Sequence, residues 1–291
     1  MPELTDIAYI KTLMNAHGFQ TSKSLGQNFI INPSVCPKIA ELGNAKKGFG
    51  ILEIGTGIGV LTKELAKRAD KVTAVELDEK LFPILDETLS EFDNIKIIHG
   101  DALKYDLNTL IQEEFQGMET AVCANLPYYI TSPLIMKLLE DRLPVKTITV
   151  MVQKEAGQRL CTPVGSRESG AVTVAVAYYG KATKLFDVSR GNFLPAPNVD
   201  SVVIQIELYP ENPWHVQNEK AFFQMIKTGF SQRRKQLSGV LSKGLHIPKD
   251  QIQEIFQKAE IPPSVRIEAL TMPELVRLSN AIQEAEHGLE N

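Results

Sequence analysis

Little in the 291-residue chain suits covalent or metal cross-linking. It has three cysteines, Cys36, Cys123 and Cys161, an odd number with no C-x-x-C pair. A disulfide-stapled secreted scaffold is thereby excluded, and thiols in a reducing compartment are expected. The five histidines, His17, His99, His215, His246 and His287, show no metal-ligand spacing and no cysteine partner nearby, so no metal is expected. Long apolar runs are missing too. Stretches such as Val174–Tyr179 fall far short of the ~20 residues of a membrane span. The opening Met1-Pro2-Glu3-Leu4-Thr5-Asp6 has no basic flank leading into an apolar segment. No secretory signal and no membrane are expected, and the location expected is the cytoplasm. A large charge excess is also absent: 31 Lys and Arg stand against 35 Asp and Glu, a net −4, which argues against a wholesale basic nucleic-acid binder.

What is present is an ordinary globular composition, 43% hydrophobic and 23% charged, enough apolar side chain to close a core without staples. At roughly 150 residues per domain, about two domains are expected. Short β-rich runs at Gly50–Ile54, Lys71–Leu77, Ile95–His99, Ala121–Ala124 and Thr147–Gln153 alternate with helical patterns at Val60–Arg68, Lys80–Leu89, Leu107–Phe115 and Pro133–Leu139. That alternation predicts βαβ units and a parallel sheet covered on both faces. Two helices are expected ahead of it, Thr5–His17 and Pro33–Leu42, the second capped by Asn32. Gly170–Tyr179 is read as a helix despite its β-branched content. Lys184–Val188 and Asp200–Leu208 are read as an antiparallel hairpin around the Pro195/Pro197 loop. After the turn-rich Tyr209-Pro210-Glu211-Asn212-Pro213 only helical patterns follow, at Glu219–Phe230, Arg233–Ser242, Lys249–Ala259 and Glu274–Glu284. The expected fold is α/β, a Rossmann-like, mostly parallel sheet with an antiparallel terminal hairpin over residues 1–208, plus a small all-α domain over 209–291.

The first strand ends in Glu53-Ile54-Gly55-Thr56-Gly57-Ile58-Gly59. Glycines there let the backbone turn sharply and approach a ligand at the carboxyl edge of the sheet. The spacing is G-x-G-x-G rather than the G-x-G-x-x-G of a dinucleotide site, and Glu53 would repel a diphosphate but suits a cationic amino-acid ligand. Glu76 ends the second strand, about 20 residues past Gly55, where an acid can take both ribose hydroxyls of an adenosine. Asp101 ends the third, where it can accept from an exocyclic adenine amine. Together these fit S-adenosylmethionine better than a nicotinamide. The bland alternative makes Glu76 a solvated strand-end acid and Asp101 a helix cap.

The fourth strand delivers Asn125-Leu126-Pro127-Tyr128-Tyr129-Ile130-Thr131. This pattern fits attack by an amino nitrogen on a planar ring, a poor nucleophile because its lone pair is conjugated. Two acceptors on its N–H groups, the Asn125 side-chain oxygen and the Leu126 carbonyl, would favour a pyramidal nitrogen. Pro127 fixes the turn, and Tyr128 can stack on the base. Positioning and electrostatics carry such a reaction. The alternative is a proline turn with two core tyrosines.

Lys23-Ser24-Leu25-Gly26-Gln27-Asn28-Phe29, the E-x-G-x-G-x-G loop, the N-L-P-Y-Y-I-T run and Phe193-Leu194-Pro195-Ala196-Pro197-Asn198-Val199-Asp200-Ser201 together resemble the ribosomal RNA adenine N6-dimethyltransferase family, most of all its small-subunit members. The resemblance covers nearly the whole chain. It implies dimethylation of two adjacent adenines in the hairpin loop near the 3′ end of 16S rRNA, within an assembling small subunit. It further implies that Asn28 and Ile30 close the methionine end of a cofactor pocket, that Gly55, Glu76 and Asp101 hold the cofactor, and that Asn125 sits between cofactor and adenine. Phe193 would form the second wall of a base sandwich with Tyr128. One departure is Thr56, where many members have proline; another is Ile30 for the usual leucine.

From Lys220 to His246 the chain has six cations and no acid. With an RNA substrate implied, Arg233, Arg234 and Lys235 are read as phosphate contacts, which set register without reading bases. Phe222 and Phe223 are read as core. The expected protein is monomeric. Two rivals stay open: a large-subunit rRNA adenine methyltransferase of the macrolide-resistance type, and a non-catalytic assembly or nucleic-acid-binding factor on the same fold.

Overall fold

The computed structural model describes residues 3–22 and 25–288, so Lys23 and Ser24 of the first motif lie outside the described residues. In chain order the elements are α1 (Ile7–Ala16), β1 (Phe29–Ile30), α2 (Val35–Leu42), β2 (Phe49–Ile54), α3 (Val60–Ala66), β3 (Lys71–Glu76), α4 (Phe82–Thr88) and β4 (Ile95–His99). They continue with α5 (Leu107–Phe115), β5 (Glu119–Asn125), α6 (Thr131–Glu140), β6 (Thr147–Gln153), α7 (Lys154–Cys161), α8 (Ala171–Tyr179), β7 (Gly180–Val188), β8 (Phe193–Leu194) and β9 (Ser201–Leu208). Four helices end the chain, α9 (Glu219–Ser231), α10 (Leu237–Gly244), α11 (Lys249–Lys258) and α12 (Met272–Gly288).

Seven strands form one sheet in the order β4-β3-β2-β5-β6-β9-β7. The pairs from β4 to β6 are parallel, and β9 runs antiparallel to β6 with Gln153 opposite Ser201. Every residue of β2 is buried, as a strand covered on both faces requires. On one face Cys36 and Ile39 of α2 and Leu61 and Leu65 of α3 pack against Ile51, Cys123 and Met151. On the other, the Phe115 ring of α5 would lie 2.2 Å from a Cβ placed on Gly50. Glycine at that position is what lets α5 approach. Asp6 and Asp106 accept from the Tyr9 and Thr109 amides and so cap α1 and α5, the local chemistry that starts a helix where apolar periodicity begins.

The chain divides into two compact units, Met1–Gln158 with Ala182–Leu208, and Arg159–Lys181 with Tyr209–Asn291. The expected division at 208/209 therefore needs correction for Arg159–Lys181, which groups with the C-terminal helices. The reason is burial: Val174 and Tyr178 of α8 belong to the same core as Phe222, Phe256 and Leu275. Tyr178 stacks on Phe222 with ring centroids 5.4 Å apart, and the Tyr178 and Tyr179 hydroxyls both donate to Glu219 at 2.9 Å.

Two local readings also change. The Asn32 side chain accepts from the Ser34 amide and hydroxyl at 2.9 and 2.8 Å, an Asx turn, and α2 begins only at Val35. Arg233, Arg234 and Lys235 lie in turns, not on a helix: the Leu237 amide is taken by the Val265 carbonyl at 2.8 Å, so α10 begins at Leu237, which is buried. Among the described residues no helix is long and apolar enough to cross a membrane.

Candidate active site

The parallel strands β4, β3, β2 and β5 bring their carboxyl ends to one edge of the sheet. There β2 opens into a loop whose Gly55, Gly57 and Gly59 have φ of +76°, +55° and +89°. Side chains at such angles are strained, so the three glycines allow the tight turn into α3. Glu76 ends β3 and gathers the donors of that loop. Its Oε2 accepts from the Thr56 amide at 2.8 Å, the Thr56 hydroxyl at 2.9 Å and the Gly57 amide at 3.4 Å, and its Oε1 from the Asp78 amide at 2.9 Å. At 6% exposure it is no solvated strand-end acid. Asp101, just past β4, accepts from the Leu103 amide at 3.0 Å and pairs with Lys104 at 3.5 Å, so one of its oxygens does serve a turn.

β5 ends at Asn125. The following Leu126 amide donates to the Met151 carbonyl of β6 at 3.1 Å. Pro127, at φ −57° and ψ 133°, opens a 3-10 turn over Tyr128–Ile130, closed by the Ile130 amide on the Pro127 carbonyl at 3.2 Å. Neither tyrosine is a core residue: Tyr128 is half-buried and Tyr129 is 53% exposed. The Tyr128 hydroxyl shares a hydrogen bond of 2.8 Å with the Ser201 hydroxyl at the start of β9. The small antiparallel pair of β1 with β8 sets Ile30 opposite Phe193 and so joins the first motif to the last.

One cavity of about 200 Å³ collects these groups. Asn28, Ile30, Gly55, Glu76 and Asp101 line it, and so do Asn125, Leu126, Pro127, Tyr128 and Phe193. Glu53 also lines it, fully buried, and neither carboxyl oxygen has a hydrogen-bond partner among the described residues. Burial pushes its pKa up to about 8; the nearby Thr62 hydroxyl pulls the other way, and the Glu76 charge adds to the rise. Buried polar groups normally have partners, so an orphaned carboxyl on a cavity wall marks a place for a donor, best a cationic one.

Three contributors escaped sequence reasoning. Thr56 supplies two of the bonds to Glu76, one through an amide that proline would lack. Gln27 donates to Asp78 at 2.8 Å and accepts from the Ser22 amide at 2.7 Å, holding the Leu25–Phe29 segment to the end of β3. Ser201 fixes Tyr128. Gln27 and Ser201 stood inside motifs, which was the only available signal. In the other unit Arg233, Arg234 and Lys235 are exposed, and the Arg233 guanidinium donates to the Arg167 carbonyl. Among the described residues no group of three or more His, Cys, Asp or Glu could hold a metal.

A family model described as ribosomal RNA adenine dimethylase matches residues 18–284. The ribosomal RNA small subunit methyltransferase A of Geobacillus sp. (strain WCH70) is 44% identical over 277 residues, 94% of this chain and 95% of that protein. The crystal structure of a dimethyladenosine transferase from Plasmodium falciparum is similar with a TM-score of 0.72 and 25% identity, covering 89% of this chain and 98% of that one. A 23S rRNA methyltransferase shares the fold with a TM-score of 0.67 at 24% identity, over 88% of this chain and 100% of that one.

Proposed function

The chain belongs to the ribosomal RNA adenine dimethylase family, and on that premise we propose that it methylates N6 of adenine in small-subunit (16S) rRNA. The acceptors are two adjacent adenines of the 3′-terminal hairpin loop, and the product is N6,N6-dimethyladenosine. The protein acts as a monomer in the cytoplasm, on an assembling small subunit. The observation that carries this reading is the convergence of the strand-end acids and the Asn125–Tyr128 run on one cavity.

The cavity fits S-adenosylmethionine. The orphaned Glu53 carboxyl suits the cationic amino-acid end, because a cation beside it favours the carboxylate form that burial alone disfavours. Glu76 would take a ribose hydroxyl: each carboxylate oxygen has two lone-pair directions, and Oε1 uses only one of them, on Asp78. Asp101 would accept from the adenine amine, and Asn28 and Ile30 would close the methionine end. The cofactor supplies an electrophilic methyl group.

The rest of the work falls to the protein. The Asn125 side-chain oxygen and the Leu126 carbonyl accept the two N–H bonds of the target amine and draw its lone pair out of conjugation. Tyr128 and Phe193 hold the flipped base by its faces. The proton becomes acidic only as the new bond forms, so positioning rather than a strong base sets the rate. Arg233, Arg234 and Lys235 hold rRNA phosphates.

The test is to incubate naked and partly assembled small subunits with the enzyme and methyl donor and to map modified nucleotides by mass spectrometry. Dimethylation of two adjacent adenines near the 3′ end is expected, and Asn125→Ala should lose turnover while keeping most cofactor affinity. Modification confined to large-subunit rRNA, or parental turnover in Asn125→Ala, overturns the reading.

A further inference from the structure

We propose that the consecutive residues Asp200 and Ser201 are positioning residues that set the two walls of the acceptor-base site, Ser201 through Tyr128 and Asp200 through Phe193. The inference rests on the reading above that Tyr128 and Phe193 enclose the target adenine. It goes beyond that reading by assigning what holds the rings apart and in place.

Ser201 is fully buried at the first position of β9, opposite Gln153 at the end of β6. Its backbone is therefore fixed by the sheet, and its hydroxyl bonds the Tyr128 hydroxyl at 2.8 Å. Tyr128 otherwise sits on a short 3-10 turn, an element with few hydrogen bonds of its own. A ring held only by its Cα–Cβ stem can swing about its side-chain torsions. A second anchor at the phenolic end removes that freedom and fixes the plane on which a base stacks.

Asp200 serves the opposite wall. Its side chain accepts from the Arg190 amide at 3.0 Å and its carbonyl from the Lys154 amide at 3.0 Å, which ties it to the end of β6. Arg190 begins the 3-10 turn Arg190–Asn192 that leads straight into Phe193, and the Arg190 guanidinium donates to the Asn198 carbonyl at 2.9 Å. At the far end of the turn the Asn192 carbonyl accepts from the Ile31 amide at 2.9 Å, next to the Ile30–Phe193 pairing. Two neighbouring residues, one just before β9 and one at its first position, thus hold the two segments that carry the rings.

The second methylation is where this matters most. N6-methyladenine has one N–H left, so one of the two proposed acceptors goes unused and stacking carries more of the orientation. Loosening either wall should therefore slow the second transfer more than the first.

The experiment measures monomethyl and dimethyl adenine after digestion of methylated subunits, together with kcat, KM and calorimetric cofactor affinity, for Ser201→Ala, Tyr128→Phe, their double variant, Asp200→Ala, Asp200→Asn and Tyr128→Ala. Ser201→Ala and Tyr128→Phe should each raise the monomethyl-to-dimethyl ratio by roughly three- to tenfold, as loss of one hydrogen bond implies. The double variant should be no worse than either single one, because both remove the same bond. Asp200→Ala should raise the ratio as well, and Asp200→Asn should restore much of it because an acceptor oxygen remains. Cofactor affinity should stay parental throughout. Parental ratios in Ser201→Ala and Tyr128→Phe, with Tyr128→Ala impaired, overturn the positioning proposal alone. Parental turnover and ratio in Tyr128→Ala overturn the stacking reading and the proposal with it. A loss of cofactor affinity in Ser201→Ala that matches its loss of turnover assigns Ser201 a general structural role and also overturns the proposal.

Discussion

Glu53 is a fully buried carboxyl whose oxygens have no hydrogen-bond partner among the described residues, and its proton is correspondingly hard to remove. Its pKa rises from 4.5 to about 8, while Glu76 lies near enough to oppose a second charge and the buried thiols of Cys36 and Cys123 are themselves pushed up by burial and by Glu53. In the unfolded chain the group ionises first as pH rises. Stability should therefore fall between pH 4.5 and about 8, by up to about 1.4 kcal/mol per pH unit from this group alone. Glu53→Gln removes that slope, so its melting temperature should gain on the parent between pH 5 and pH 8; equal pH dependence of the two proteins would refute the assignment. Glu76 carries the opposite kind of load, a charge already surrounded by donors. Glu76→Ala should weaken binding of S-adenosylmethionine by roughly 1–3 kcal/mol. It should lower the melting temperature as well, because the Thr56 and Gly57 amides lose their acceptor. Calorimetry and a thermal melt on one sample separate the two effects, and unchanged cofactor affinity would remove Glu76 from the binding site.

At the scale of elements, the site depends on how closely helices approach β2. Gly50 admits the Phe115 ring, and an added methyl there would overlap that ring. Gly50→Ala should destabilise the protein by roughly 1–3 kcal/mol, and Phe115→Leu should relieve part of that cost, a coupling expected only for residues in contact. Additive melting shifts in the double variant would show that α5 can move away without penalty. Element boundaries followed the same logic of packing over propensity. Ile95–His99, Leu107–Phe115 and Thr147–Gln153 match the strands and helix read from periodicity. Arg233–Lys235 left their predicted helix because the Leu237 amide had a partner outside it.

At the scale of the whole molecule, charge is the property that counts. A protein of net −4 that handles RNA needs its cations grouped, and Arg233, Arg234 and Lys235 are exposed together in a window without acids. Replacing all three with Ala should weaken subunit binding and make its log–log salt dependence shallower by roughly 2–3, with cofactor affinity unchanged. A parental salt slope would refute the phosphate-contact reading and leave the cluster a solvated turn.

The sequence by itself determined the parallel sheet, the glycine loop with its acids and the acceptor run. Each of these is written in spacing along a few neighbouring residues: period two, period three to four, or a glycine pattern after a strand. The tertiary structure alone decided which distant groups meet. Tyr128 and Ser201 are 73 residues apart, Thr56 and Glu76 are 20 apart, and β1 finds β8 with Phe29 opposite Leu194. Such pairs depend on sheet register and on the direction each side chain leaves its strand, quantities that local periodicity does not encode. The grouping of Arg159–Lys181 was hidden for the same reason. Its apolar face is visible in the chain, but the aromatic core that buries it comes from residues more than forty positions later.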